Sequence, residues 1–516
     1  MYMYTKDHML GYLRANRSEI DGCLPSLGSN CSNPVNPQYP NEDLIFVDSN
    51  AVYVQPGDPD HSIPGTTTQL FGLGSDDVWP PPMNGFVYDY AFKDTKVNDN
   101  GTIIMQCFDP SAVPIITTLA NEFGVYDRWY CDVPGPTDPN RLYAWMATSS
   151  GLGDNTADRL IAGCVGPNVF QVNFCFVCKK KKGDFTPLFG CIFPILCCTY
   201  ELNEKMLDET ISFTNNTWRV YYEQAPSPIY VEYTRKFPRK FRQMETFFVD
   251  LNSGDLPLFS WLDPAYFALT DFPASDEHPD HDVTNGEKLM KRVYESLRQS
   301  PVWEDSLLLI FYDEHGGFFD HGFFLFFLKK CTFSCVHFIP LFFSLRSVPP
   351  PLAVSPDGRV AEDVYPPFNF TRYGIRVPAV LVSPYIQKGS VGDRPDPGSL
   401  SQYSHSSLPH TIREQFSPDY PPYNDREDIA LTFEQMLNLE YPRDDCPTKL
   451  PDVPTGQSPF LYDPKQQPVN SFQFNLANAI APLCGASQQD VTNHGQNQDM
   501  LGRFVIDCAQ YFASSD

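Results

Sequence analysis

Residues 307–321 read LLLIFYDEHGGFFDH, and this stretch decides the class of fold. The apolar run at 307–310 is too short for a helix and predicts a fully buried β-strand. Asp313 and Glu314 then lie together at the carboxyl end of that strand, where α/β folds place their ligand sites. Adjacent carboxylates repel each other unless a cation lies between them, and oxygen ligands suit a divalent cation. The stretch therefore favours an α/β fold with a metal site over its alternative, an exposed acidic turn.

The elements on either side follow the same order. Residues 217–224 predict a strand, residues 285–300 predict an amphipathic helix that leads into the run above, and residues 377–385 predict another buried strand. A recurring order of strand, helix and strand indicates an α/β layered domain. We expect a catalytic domain over residues 1–440 and a smaller C-terminal extension over residues 441–516, where the sequence becomes proline-rich and predicts mainly loops.

The bulk composition limits the partners of the chain. It has 516 residues, 42% of them hydrophobic and 19% charged, which is typical of a globular protein. Its formal net charge of −26 argues against a nucleic-acid partner, because phosphate binding needs positive charge. The N-terminal residues MYMYTKDHML lack the basic and then apolar pattern of a signal peptide. No transmembrane segment is expected.

Two segments, residues 172–201 and 322–347, differ from the rest of the chain. Both are rich in Phe, Cys and Lys, and neither has the periodicity of a helix or a strand. The second could be a transmembrane helix, but Lys329 and Lys330 in its middle make membrane insertion costly. The first could bind zinc through four of its cysteines. We favour a third interpretation, that both are translated introns, because removing them leaves the reading frame intact.

The cysteines outside these two segments form an even set, which is compatible with disulfides and so with a secretory route. They are Cys23, Cys31, Cys107, Cys131, Cys164, Cys446, Cys484 and Cys508. Glycosylation sequons point the same way and occur at Asn16, Asn30, Asn100, Asn215 and Asn369.

Thr137 lies in PGPTDPNR (134–141), where a predicted strand passes into a predicted helix. A threonine in that place is usually the N-cap of the helix, and capping is the interpretation that this pattern favours. A hydroxyl at a helix N-terminus is also well placed to attack phosphate, because the end of the helix favours an anion.

Several histidines lie in proline-punctuated loops. A single loop histidine is usually solvated and without a role, but several beside a metal-type carboxylate pair are candidates for contacts to a phosphate. They are His61, His278, His281 and His405, with His315 inside the acidic stretch itself.

Seven blocks in order resemble the phosphoesterase family, which contains non-specific phospholipases C and related acid phosphatases. They are DHMLG (7–11), DPDHS (58–62), PTDPNR (136–141), DEHPDHD (276–282), YDEHGGFFDH (312–321), RVPAVLVSPYI (376–386) and YSHSSLP (403–409). PRDDCPTKLP (442–451) is similar to the eukaryotic phospholipase branch. The resemblance implies a three-layer α/β/α core like that of alkaline phosphatases and arylsulfatases.

The resemblance also implies a reaction, the cleavage of glycerophospholipids at a membrane surface into diacylglycerol and a phosphorylated head group. Thr137 would be the nucleophile, activated by one divalent metal ion of unknown identity. The implied metal ligands are Asp313, Glu314 and Thr137. The implied catalytic histidines are His61, His278 and His405, and the implied substrate-binding residues are Asn140, Arg141, His281 and His315. A phosphomonoesterase and a catalytically impaired phospholipid-binding relative remain the alternatives.

The chain departs from the family pattern at its N-terminus. The block that ends in DHMLG normally reads ENRSFDHMLG after an apolar strand, and its Glu and Asn complete the metal site. Tyr2 and Met3 stand at those two positions here. We therefore expect an N-terminally truncated chain whose signal region would lie in the same missing stretch.

Overall fold

The computed structural model describes residues 3–171, 217–321, 349–455 and 463–515, apart from residues 75, 77, 94–100, 156 and 397. Tyr2 and the two segments interpreted as translated introns lie outside the described residues, as do the sequons at Asn100 and Asn215.

The described chain alternates helices with short strands. The helices are α1 (Lys6–Leu10), α2 (Ile63–Phe71), α3 (Phe86–Lys93), α4 (Pro114–Glu122), α5 (Thr137–Met146), α6 (Ala157–Ala162), α7 (Met244–Ser253), α8 (Val283–Gln299), α9 (Ser407–Phe416), α10 (Asp425–Ile429), α11 (Ser471–Ile480), α12 (Gln488–His494) and α13 (Gln498–Ser514). The strands are β1 (Ser32–Pro34), β2 (Leu44–Phe46), β3 (Gly124–Val125), β4 (Trp129–Tyr130), β5 (Trp218–Tyr222), β6 (Phe241–Gln243), β7 (Phe259–Asp263), β8 (Leu308–Phe311), β9 (Ala379–Val382), β10 (Ser390–Val391) and β11 (Tyr403–Ser404).

Two sheets carry the site. One has the order β10-β3-β9-β8, and within it β8 pairs antiparallel with β9 so that Leu309 lies opposite Leu381. The other is parallel and has the order β6-β5-β7. This arrangement confirms the mixed α/β class and the three strands predicted around residues 217–224, 307–310 and 377–385.

The amphipathic helix predicted at residues 285–300 is α8, and its prediction is confirmed. Leu289, Val293 and Leu297 form its buried stripe, as the spacing requires. Glu287 is also buried, and its carboxylate accepts hydrogen bonds from the Ile115 and Ile116 amides at 2.7 and 3.0 Å. A carboxylate at the N-terminus of α4 satisfies amides that have no partner within that helix.

The prediction that residues 307–310 are fully buried is wrong. Leu307 is 40% exposed, and the next three residues are only half-buried. The reason is a groove of about 630 Å³ between β8 and β7. Within the described residues, β8 pairs only with β9 and β7 pairs only with β5, so each turns an unpaired edge to the groove. Apolar side chains line it, among them Phe247, Leu262, Leu289, Val293, Leu309 and Ile412.

A buried arginine fixes the N-terminal helix against the acidic stretch. Arg376 donates to Asp320 at 2.7 and 2.8 Å and to Asp21 at 3.1 Å. His321 lies between Asp7 and Asp21. Burial lowers the pKa of His321, but these two carboxylates outweigh it and raise that pKa to about 10. The end of the 307–321 stretch is thereby held by charge pairs.

The C-terminal part is more regular than the sequence predicted. The expectation of loops beyond residue 441 is wrong, because α11, α12 and α13 occupy most of residues 471–514. Leu501, Val505, Cys508 and Phe512 are the buried stripe of α13, and their helical spacing is the signal that could have shown it.

Two disulfides form among the described cysteines, Cys23–Cys31 and Cys484–Cys508. The other four cysteines of the even set are buried thiols, so the disulfide expectation is confirmed for half of it. In the part of the chain that is described, no helix has the length and apolar character needed to cross a membrane.

Candidate active site

Thr137 is the first residue of α5, and its prediction as an N-cap is wrong. Pro136 holds the N-cap position and makes no side-chain capping bond. The Thr137 hydroxyl is buried, and its Oγ1 lies 3.9 Å from the Met3 sulfur. The hydroxyl is thus directed toward the chain that runs into α1, at the end of a helix that favours an anion.

Asn140 builds the turn that presents Thr137. Its Nδ2 donates to the carbonyls of Val133, Gly135 and Pro136 at 3.0–3.1 Å, and its Oδ1 accepts from the Val133 amide at 2.9 Å. The Asn140 side chain therefore stabilises the turn through hydrogen bonds to its backbone. The family resemblance implied a substrate contact for this residue.

Arg141 connects α5 to the carboxylates after β8. Its Nε donates to Asp313 Oδ2 at 2.9 Å, and its guanidinium also donates to the Tyr266 hydroxyl at 2.6 Å. Its guanidinium carbon lies over the Tyr266 and Phe472 rings, at 4.7 and 4.3 Å from their centroids. Burial lowers the pKa of Arg141, but Tyr266 and Asp313 outweigh it and hold that pKa above its usual range.

The two carboxylate oxygens of Glu314 differ in their hydrogen bonding. Its Oε2 accepts from the Gly316 amide at 2.6 Å, whereas its Oε1 is buried without a hydrogen-bond partner. Burial raises the pKa of Glu314 to about 7, although nearby His61 opposes the shift. Gly316 has φ of 64°, a left-handed conformation that favours glycine.

A row of charged groups leads from Glu314 toward solvent. His61 Nε2 lies 4.0 Å from Glu314 Oε1, and His61 Nδ1 lies 3.5 Å from Asp58. On the far side of Asp58, His278 Nε2 lies 3.8 Å away. Asp58 is 40% exposed, so the row opens at this residue. Burial lowers the pKa of His61, but Glu314 and Asp58 outweigh it and raise that pKa to about 9.

Two predicted histidines lie behind the carboxylates. His405 donates from Nε2 to the Asp313 carbonyl at 2.6 Å and accepts at Nδ1 from the Trp129 indole at 3.2 Å. His315 Nε2 lies 2.7 Å from the side-chain oxygen of Gln69. Burial lowers the pKa of both histidines, so they are neutral supports of the acidic stretch.

His281 is held by the protein at both nitrogens. Its Nδ1 donates to Asp276 at 2.5 Å, and its Nε2 donates to the Gln498 side-chain oxygen at 2.9 Å. Burial lowers its pKa, but Asp276 and Asp280 outweigh it and raise the pKa to about 10. His281 is therefore an imidazolium that fixes its own loop.

One group of described residues has metal-type spacing away from this row. Asp7, Cys23 and His321 offer ligand atoms within 4.8 Å of one another. The Cys23 sulfur, however, is bonded to Cys31, and a disulfide sulfur is not the thiolate that binds metal. The His321 and Asp7 side chains already form a hydrogen bond with each other.

Asp313, Glu314 and Thr137 are the donors that the resemblance implies, and all three offer oxygen atoms. The orphaned Glu314 Oε1 beside a second carboxylate has the charge and the hardness that such a cation prefers. The Met3 thioether that faces Thr137 is a soft group and does not suit it. The donors present fit a divalent cation but form an incomplete set.

Sequence reasoning missed several groups that complete the site. Asp58 lies between two predicted histidines, and its own sequence pattern does not indicate this position. Tyr266 and Phe472 cover Arg141, and Asn470 contacts His278. These last contacts join segments that are distant along the chain, so no local pattern signals them.

Comparison with known proteins agrees with this architecture. A phosphoesterase family model matches residues 5–417. The chain is 34% identical over 484 residues to non-specific phospholipase C1 of Arabidopsis thaliana, covering 93% of this chain and 77% of the relative. It is 32% identical over 515 residues to non-specific phospholipase C3 of that plant, covering 98% and 84%. It is 25% identical over 440 residues to phospholipase C B of Mycobacterium tuberculosis, covering 76% and 68%. The chain belongs to the phosphoesterase family.

Replacing Asn140 with Asp tests whether this side chain builds the turn. The change removes the N–H donors from three carbonyls and buries a carboxylate against them, so we expect Asn140→Asp to lower the free energy of unfolding by about 3–5 kcal/mol. Denaturant unfolding measures the change. The matched control is Asn493→Asp, because Asn493 is exposed, lies outside the sequons and accepts a hydrogen bond from the Gln489 side chain through its oxygen. Equal unfolding midpoints for the two variants would contradict the assignment.

Proposed function

We propose that this chain is a phospholipase C-type phosphodiester hydrolase that cleaves glycerophospholipids into diacylglycerol and a phosphorylated head group. One observation carries the proposal. Thr137 is the first residue of the buried helix α5, and Arg141 of the same helix forms an ion pair with Asp313. The neighbouring Glu314 has a buried oxygen without a hydrogen-bond partner. A nucleophile at a helix N-terminus beside two carboxylates suits phosphoryl transfer, and the relatives named as phospholipases C support the substrate class.

In the proposed reaction the Thr137 oxygen attacks phosphorus, and the bond from phosphorus to the diacylglycerol oxygen breaks. Water then cleaves the phosphothreonine and releases the phosphorylated head group. When bound, a divalent cation held by Asp313, Glu314 and Thr137 would neutralise the phosphoryl oxygens and lower the pKa of the hydroxyl.

The histidines take different parts in this proposal. His61 is charged and lies between Glu314 and the exposed Asp58, and it protonates the leaving diacylglycerol oxygen. His278 stands across Asp58 and takes part in the second half of the reaction. His405, implied as catalytic by the resemblance, instead positions the Asp313 backbone.

A phosphomonoesterase of the same family would use the same residues. An impaired phospholipid-binding relative is the other candidate, because Tyr2 and Met3 replace two metal ligands of the family pattern. Phosphatidylcholine vesicles and a soluble aryl phosphate separate these candidates. Diacylglycerol release from the vesicles supports the phospholipase, aryl phosphate cleavage alone supports the monoesterase, and vesicle binding without turnover supports the impaired relative.

We also propose a finer fold, a three-layer α/β/α core whose central sheet is completed by a strand in the groove between β7 and β8. Met3 forms a parallel bridge with Glu314, directly beyond β8, so chain that enters Met3 from its N-terminal side would run along the free edge of β8. The apolar lining suits β-strand side chains. A lipid acyl chain suits the lining but cannot satisfy the backbone groups of two strand edges.

Three versions of the protein test the strand and the interpretation of the inserts. They are the chain as given, the chain without residues 172–201 and 322–347, and that shortened chain with an apolar strand ending in Glu-Asn in place of Tyr2-Met3. We expect removal of the inserts to improve solubility. The strand should raise Tm by about 5 °C or more, because it buries several apolar side chains.

Metal content distinguishes the effect of the last two residues of the strand, Glu and Asn, from the effect of the strand itself. We expect stoichiometric divalent metal by elemental analysis only in the third version, and its loss there on Glu314→Gln. A strand of the same composition interrupted by proline is the control for Tm. Equal solubility, Tm and metal content in all three versions would contradict the proposal.

The nucleophile is tested in the version with the restored strand. We expect Thr137→Ala to lower phosphatidylcholine hydrolysis at least about 1,000-fold, because the attacking oxygen is lost. Thr137→Ser retains a hydroxyl and should keep measurable activity. Diacylglycerol release over time gives both rates, and full activity in the alanine variant would refute the role of Thr137.

A further inference from the structure

The C-terminal segment, residues 463–515, reaches into the site from outside the region that the family model matches. Its side chains contact four residues of the site blocks. Asn470 contacts His278, Phe472 covers Arg141, Asn475 donates to Asp138, and Gln498 accepts from His281. Among these, the Asn470 contact bears directly on proton transfer.

The orientation of the Asn470 amide is fixed by its own helix. Asn470 is the N-cap of α11, and its Oδ1 accepts from the Gln473 amide at 2.8 Å. The Gln473 side chain in turn accepts from the Asn470 backbone amide at 3.0 Å. Because this capping box uses the oxygen, the NH₂ group is the part of the side chain that lies 3.3 Å from His278 Nε2.

Two N–H groups cannot share one hydrogen bond, so an N–H donor at this place requires a lone pair on His278 Nε2. The other ring nitrogen, Nδ1, lies 2.8 Å from Asp280 Oδ1, which can only accept. We propose that Asn470 is a positioning residue that holds His278 in the neutral tautomer protonated at Nδ1, with Nε2 as a proton acceptor.

The surrounding charges act in opposite directions on the pKa of His278. Burial lowers its pKa, but Asp58 and Asp280 outweigh it and raise that pKa, which favours the imidazolium. The His281 imidazolium opposes them, because its ring centre lies 5.7 Å from that of His278 and a second positive charge there is repelled. The Asn470 N–H acts in the same direction as His281. The neutral form of His278 thus depends on the Asn470 side-chain amide, and replacing Asn470 tests this dependence.

This inference deepens the proposed function and rests on it for its catalytic meaning. The two histidines on either side of Asp58 would take different parts in the reaction. His61 would donate a proton to the leaving diacylglycerol oxygen. His278 would accept a proton at Nε2 from the water that cleaves the phosphothreonine, once that water takes the place of the Asn470 N–H at the lone pair. The tautomer itself does not depend on turnover.

The experiment is ¹⁵N NMR of the full chain labelled at histidine, at neutral pH, with His278→Gln to identify the signals of His278. We expect a protonated Nδ1 and an unprotonated Nε2 in the unchanged protein. Asn470→Asp keeps a capping oxygen but turns an acceptor toward Nε2, so we expect both nitrogens of His278 to become protonated. Asn470→Ser also keeps a cap and removes the donor, and it should likewise lower the unprotonated fraction of Nε2.

Asn497→Asp is the matched control. Asn497 caps α13 by accepting from the Met500 amide at 2.9 Å, so the change adds the same charge at another cap of the same segment. We expect it to leave the His278 signals unchanged. A protonated Nε2 in the unchanged protein, or an equal shift in the control and in Asn470→Asp, would overturn the inference. Absence of diacylglycerol release from the version with the added N-terminal strand, alongside the expected tautomer, would overturn the proposed function and leave the positioning role of Asn470 standing.

Discussion

The buried ion pair between Arg141 and Asp313 is the interaction on which the rest of the site depends. Both side chains are almost fully removed from solvent, and one contact of 2.9 Å joins the helix that begins at Thr137 to the end of the strand that carries Glu314. Removing either partner would leave an uncompensated buried charge, at a cost of about 3–5 kcal/mol. The pair therefore joins α5 to the segment that contains Asp313 and Glu314.

Around that pair, two neutral histidines lie behind the carboxylates and a charged histidine lies on the side of the opening. His405 and His315 are buried and neutral, and they hold the backbone and the neighbours of the carboxylates. His61 and Asp58 lie farther out and carry opposite charges, and Asp58 is the exposed member. The charged His61 between Asp58 and Glu314 is the group of this row that suits contact with a phosphate in the proposed reaction.

The sequence predicted the α/β class, the acidic stretch and the family, because these depend on local runs and on blocks that keep their order. It failed where distant segments decide. Residues 307–310 read as buried, yet a groove beside them leaves them partly open. Thr137 read as a cap, yet Pro136 takes that position. The contacts of Asn470 could not be predicted at all, because they arise only when the C-terminal helices pack against the site.

In the proposed reaction Thr137 attacks phosphorus beside the Asp313 and Glu314 carboxylates. Rapid acid quenching during turnover of phosphatidylcholine, followed by peptide mass spectrometry, tests this step in the version with the added N-terminal strand. We expect a phosphorylated-head-group adduct on the peptide that contains Thr137, and no adduct in Thr137→Ala. Turnover with no adduct on Thr137, or with the adduct on another residue, would contradict the proposed role of Thr137.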